Sequence, residues 1–182
     1  DPKSMVQITY TGEAPYNEKD DLALRALAGA VKIKLTEKLR EEAGGVYTSG
    51  ANGSMMKVPY SGYSFTIQFP CGPENAEKLT KIALAEVQNA AAKGPEQKDL
   101  DKFKEGEMND YKTRIKDNNY WLSNLAQPQL DGRDKYGILN YEAKLKELSV
   151  KDLQAVAKKY LTRAKVVATL MPEDGWEAAV NK

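Results

Sequence analysis

Between positions 63 and 69 the side chains alternate: Tyr63, Phe65, Ile67 and Phe69 are apolar, and Ser64, Thr66 and Gln68 are polar. A period of two over this length predicts a strand with one face buried and the other wet, ended by Pro70. The β-branched run V-Q-I-T-Y-T predicts a first strand over residues 6–11. The run K-V-V-A-T-L-M predicts a final strand over residues 165–171. A further extended segment, residues 46–56, contains Gly50 and Gly53. Glycine inside a strand signals a bulge or a close backbone approach, so this stretch reads as a bulged edge strand or as a flexible, substrate-gating edge.

Elsewhere the apolar period is that of a helix. Leu24, Leu27, Ala28, Val31, Leu35 and Leu39 form one stripe, predicting a long helix from Asn17 or Glu18 to about Glu42. Asp20 and Asp21 fall in its first turns, where the helix dipole favours negative charge. Gly44 and Gly45 stop it. A second helix, residues 73–93, turns Leu79, Ile82, Ala83, Val87 and Ala90 inward and is closed by Gly94-Pro95. A third runs to about Asp117 with Leu100, Phe103, Met108, Tyr111 and Ile115 inward, and Asn118-Asn119 breaks it. A shorter helix over residues 120–130 is limited by Pro128. Helical pattern resumes over residues 136–148, and Ser149-x-x-Asp152 reads as a capping-box start for the last helix. The order β-α-β-β-α-α-α-α-β predicts an α+β fold, a mainly antiparallel sheet with helices packed on one face. Residues 1–182 read as a single domain with a tail at 172–182, anchored by Trp176.

Composition narrows the chemistry. Of 182 residues, 41% are hydrophobic and 29% charged, the balance of a soluble globular domain with a real core. The 27 basic and 26 acidic residues leave a net charge of +1, which does not advertise a nucleic-acid or anionic-membrane partner. No apolar run is long enough to span a membrane. The chain contains no histidine, so Ser-His-Asp and Cys-His devices are excluded, as is a zinc site of the usual catalytic kind. The single cysteine, Cys71, excludes an internal disulfide and a thiolate-rich zinc site, and reads as a small, half-buried residue after a strand. No phosphate-cradling glycine loop and no D-x-D-x-D-G calcium loop is present. Asp1-Pro2-Lys3 is an unusual beginning, so a longer parent with its own targeting segment is expected.

The most informative stretch is residues 35–47, L-T-E-K-L-R-E-E-A-G-G-V-Y. A helix end, a glycine break and a strand start bring the guanidinium of Arg40 within reach of the Tyr47 phenol. From the residues alone, an arginine there satisfies the last helix carbonyls and a tyrosine there packs. Glu37, Glu41 and Glu42 resemble a general acid-base set but read as a solvated face, pairing with Lys34 and Lys38 at helical spacing. Tyr120 and Trp121 could form a ligand platform, and read as core or interface packing.

The run Leu39-Arg40-Glu41-Glu42-Ala43-Gly44-Gly45-Val46-Tyr47 resembles the L-R-E-x-x-G-x-x-Y signature in the C-terminal half of the pitrilysin and insulin-degrading-enzyme family of zinc metallopeptidases (inverzincins). Within it, the chain is most similar to bacterial PQQ-linked zinc proteases, with the mitochondrial processing peptidases as further relatives. The long preceding helix, the paired strands and the terminal V-V-A-T-L-M-P add to the likeness. The resemblance implies a processing-peptidase-like domain from the non-catalytic half, with no catalytic residue and no metal ligand of its own. Zinc would sit on the missing N-terminal half, held by an H-x-x-E-H motif and a later glutamate. Arg40 and Tyr47 would reach across the chamber to contact peptide or unfolded polypeptide substrate near the scissile bond. The implied partners are that zinc-bearing half and the substrate, and the implied location is the periplasm or cell envelope of a bacterium. Alternatives are a structural or assembly domain of an inactive relative, and a module binding peptides along an exposed sheet edge.

Overall fold

The computed structural model describes residues 3–43 and 49–173. Four strands form one antiparallel sheet: β1 (Ser4–Glu13), β2 (Gly50–Met56), β3 (Gly62–Cys71) and β4 (Lys165–Leu170), in the order β2-β3-β1-β4. Long β1 and β3 run side by side over their full length, from Ser4 opposite Cys71 to Glu13 opposite Gly62. The alternation seen in the sequence becomes two faces. Val6, Ile8, Tyr10, Tyr63, Phe65, Ile67 and Phe69 are buried on one. Gln7, Thr9, Thr66 and Gln68 lie on the other, where Thr9 and Thr66 share a hydroxyl hydrogen bond at 3.3 Å. The predicted α+β architecture, with its antiparallel sheet and one-sided helical layer, is the one observed.

Helix α1 (Glu18–Ala43) is the spine of that layer. Asn17 Oδ1 accepts the Asp20 N–H at 2.9 Å and opens the helix, satisfying one of the donors a helix start leaves over. Leu24, Leu27, Leu35 and Leu39 are fully buried along its inner stripe. Helices α2 (Ala76–Lys93), α3 (Gln97–Arg114) and α6 (Val150–Tyr160) pack around it. Gly29 lets α3 approach closely, because a Cβ there would lie 2.2 Å from the Phe103 ring. Helix α6 starts at the predicted capping box of Ser149 and Asp152. Its last residue, Tyr160, ties three elements together. The Tyr63 hydroxyl donates to its carbonyl at 3.0 Å, the two rings lie 4.7 Å apart, and its own hydroxyl donates to Asp20 at 2.6 Å.

Several boundaries differ from expectation for identifiable reasons. Strand β3 continues through Pro70 to Cys71. Among the described residues, β2 reaches only to Gly50, opposite Gln68, and Pro70 is paired with Met5 of β1, an edge-like position where a strand tolerates proline. Cys71 is a strand residue and is buried, and that burial raises its thiol pKa. Asn118-Asn119 begins a helix instead of breaking one: Asp117 accepts the Asn119 N–H at 2.8 Å and caps α4 (Asn118–Asp131). Pro128 lies inside α4, which ends at Gly132 in the left-handed conformation, φ 65°. The helical stretch expected over residues 136–148 divides into a 3-10 segment, Lys135–Asn140, and α5 (Tyr141–Glu147). Helix α4 buries none of its residues, and Leu122, Leu125 and Leu130 are exposed.

Candidate functional site

Arg40 occupies the last turn of α1 and is exposed. Lys32, Thr36 and Arg40 form a row at four-residue spacing along the helix. Thr36 Oγ1 and Ser49 Oγ are 2.8 Å apart, and Ser49 Oγ donates to the Lys32 carbonyl at 3.3 Å. Ser49 immediately precedes β2, so this row flanks the return of the chain from α1 into the sheet. Arg40 thus stands one turn beyond the point where the returning chain is pinned. Tyr47 lies outside the described residues, as do Gly44, Gly45 and Trp176.

Among the described side chains, the acidic residues beside Arg40 form no acid-base pair. Glu41 is exposed, and Glu37 is 3.8 Å from Lys102 of α3. The side chain of Glu42 lies outside the described residues. Among the described side chains, Lys34 and Lys38 pair across elements and not along the helix. Lys34 bonds Glu96, ahead of α3, and Lys38 bonds Glu86 of α2. The cross-element partners win because at least one, Glu86, is nearly buried, and an ion pair shielded from water gains more than a solvated one.

At the other end of α1, a polar cavity of 730 Å³ opens between α1, α4 and the 3-10 segment. Three arginines in its wall each face a tyrosine ring. Arg133 is 4.9 Å from the centre of Tyr16, Arg25 is 5.9 Å from Tyr141, and Arg114 is 5.9 Å from Tyr120. Each is also neutralised: Arg133 by Asp131 at 2.7 Å, Arg25 by Asp21 at 3.3 Å, and Arg114 by Glu107. Arg133 Nη1 donates to the Tyr16 hydroxyl at 2.8 Å, and the Tyr141 hydroxyl donates to Glu107 at 2.5 Å. Burial and that acceptor push the Tyr141 phenol far above its ordinary range. The set is charge-balanced and braces α4 against the body. Tyr120 belongs to it, whereas Trp121 donates its indole N–H to the Ile115 carbonyl at 2.8 Å and stacks edge-on against Tyr120, which is packing. This cluster escapes a sequence reading because its members are distant in the chain, Tyr16 and Arg133 by 117 positions.

Among the described residues no group of three metal-ligating side chains is placed to hold an ion. With no histidine and one cysteine in the chain, the residues present do not fit a catalytic zinc. No helix among the described residues is long and apolar enough to cross a membrane.

Comparison with known proteins bears on this arrangement. A family profile described as "Peptidase M16 inactive domain" matches residues 1–107. A zinc protease PQQL-like protein of Arabidopsis thaliana is 28% identical over 107 residues, which is 56% of this chain and 11% of that protein. The fold matches the periplasmic protease PqqL from Escherichia coli, with a TM-score of 0.79 and 20% identity, covering 95% of this chain and 19% of that one. It also matches the ferredoxin protease FusC, solved in complex with Arabidopsis ferredoxin, with a TM-score of 0.76 and 17% identity over 95% of this chain and 19% of that one. The chain therefore spans a small fraction of the length of each of these relatives.

Proposed function

The chain belongs to the peptidase M16 inactive-domain family, and on that premise we propose that it is the substrate-contacting, non-catalytic domain of a larger zinc metallopeptidase. The observation that supports this most is the position of Arg40. It is exposed at the end of a helix whose other side is locked into the core, one turn past the pinned return to β2. A guanidinium there is a permanent donor for a peptide carbonyl. Tyr47, close behind in sequence, would add a phenol that donates to the oxyanion developing at the scissile bond. Zinc and the general base would belong to an N-terminal half of the parent, and this domain would close the chamber over an extended peptide. Periplasmic location is the reading favoured by the likeness to PqqL. The substrate class is peptide or unfolded polypeptide.

The test is direct. The purified chain, supplied with zinc and a library of unfolded peptides, hydrolyses none of them; zinc-dependent cleavage by this chain alone contradicts the proposal. The fully exposed β4 edge favours a second reading, capture of extended peptides by strand addition. Stable binding of such peptides by the chain, lost when a proline is placed in β4, supports it.

A further inference from the structure

A second cavity, of 370 Å³, lies where α1, α2 and the α2–α3 turn meet. Its walls carry five charged side chains besides Asp99: Lys34, Lys38, Glu86, Lys93 and Glu96. Most of that charge is already matched. Lys38 bonds Glu86, and Glu96 accepts from both Lys34 and Lys98. Glu96 is so well supplied that its carboxyl is held down at about 2.

Two charges remain. Asp99 is 1% exposed, and its Oδ1 is buried without a hydrogen-bond partner. The lysines that could have served it are the ones Glu96 engages. An unpartnered buried carboxylate oxygen bears its full desolvation penalty, so native folds rarely leave one without a reason. Burial, with Glu96 nearby, raises the Asp99 carboxyl, as desolvation without a donor requires. The exposed side chain of Lys93, the last residue of α2, makes no ion pair or hydrogen bond with the described residues and lines the same cavity. The turn that shapes the wall is fixed: Gly94 has φ 80°, and a Cβ there would lie 2.7 Å from Val150.

We propose that this cavity binds a small zwitterion, a free α-amino acid or a dipeptide, with its ammonium on Asp99 and its carboxylate on Lys93. The charge arrangement selects this class. A simple cation would satisfy Asp99 and leave Lys93, and a simple anion would do the reverse. An ammonium supplies three donors to an orphaned carboxylate, and a carboxylate accepts charge-assisted bonds from a lysine. The volume lies at the lower end of the range for small-molecule sites, about 300–1,000 Å³, which suits one or two residues and not a longer peptide. The inference stands on these residues alone and is independent of the peptidase reading.

The experiment is a titration of the isotopically labelled chain, followed through backbone amide resonances, with alanine, dialanine, N-acetyl-dialanine and dialanine amide. The expected result is saturable shifts confined to residues 30–38 and 86–99 with alanine or dialanine. The two unblocked ligands decide between an amino acid and a peptide end. Acetylation is expected to weaken binding at least tenfold, and so is Asp99→Asn, an isosteric change that keeps the packing. Lys93→Gln, at an exposed position, removes the preference for a free carboxylate over the amide. Absence of saturable shifts, equal binding of blocked and unblocked dialanine, or unchanged binding by Asp99→Asn overturns the proposal.

Discussion

Along β2 the sheet edge is closed by α1. Asp21 Oδ1 accepts the Met55 N–H at 2.7 Å, and the Leu24 carbonyl lies so close to Gly53 that a Cβ there would be 2.5 Å away. Along β4 nothing comparable happens: all six residues are exposed, and Val166, Val167 and Leu170 show their side chains to solvent. Gly53 is therefore required by the contact with α1, whereas Gly50 faces the Gln68 side chain of β3. The β4 edge has its apolar side chains and one row of its peptide groups unclaimed by the described chain. Such edges are covered or defended in finished domains. On the second reading proposed above, this open edge is where an extended peptide would add to the sheet.

Gly53 is the most sensitive position of the closed edge. Gly53→Ala forces a methyl against the α1 backbone, which cannot swing aside, and is expected to cost about 3 kcal/mol. Chemical denaturation reads it, and a loss under 1 kcal/mol would mean that α1 does not seal β2.

The next effect tests whether β1, the strand beside the open edge, is sealed on its inner face. Tyr10 is 3% exposed, and burial pushes its phenol up to about 12, above the unfolded value of about 10. Its contribution is then fully present below pH 10 and is lost as pH rises from about 10 to 12, about 3 kcal/mol in all. Tyr63 and Tyr160 are raised for the same reason, so Tyr10→Phe is expected to shrink the alkaline loss without abolishing it. An unaltered alkaline limb in the variant would show that Tyr10 is wet.

Asp21→Ala removes the cap on the β2 edge and a favourable charge at the start of α1, and is expected to cost about 1–2 kcal/mol. Thermal melts provide the check. At the open edge, Val166→Thr and Leu170→Gln are expected to stay within about 0.5 kcal/mol of the parent. A larger loss from either would reveal that β4 is covered after all.

Much of this architecture is legible in the residues. The alternation at Tyr63 to Phe69 and the leucine stripe of α1 each record one buried face, and the capping box of Ser149 and Asp152 announces α6. Pro128 misleads because its cost depends on surroundings. In α4, which buries nothing, the carbonyl left without its helical donor belongs to the exposed Asn124 and can be met by water. The pairing of Lys34 and Lys38 is equally invisible, since local spacing offers acids on the same helix and only the packing brings Glu86 and Glu96 closer. For the candidate site, the helix that carries Arg40 can be read from the sequence. The Arg–Tyr cavity and the orphaned Asp99 cannot, because both arise from residues that only the tertiary fold brings together.

On the proposed function, Arg40 contacts substrate. The most direct measurement is peptide turnover by the full-length parent, with zinc present, for the native protein and for Arg40→Ala and Tyr47→Phe. Each variant is expected to keep its fold and zinc content while turnover falls by about 10²-fold, the loss typical of removing one transition-state donor. Unchanged turnover in both variants would contradict it and leave this domain as a wall of the chamber.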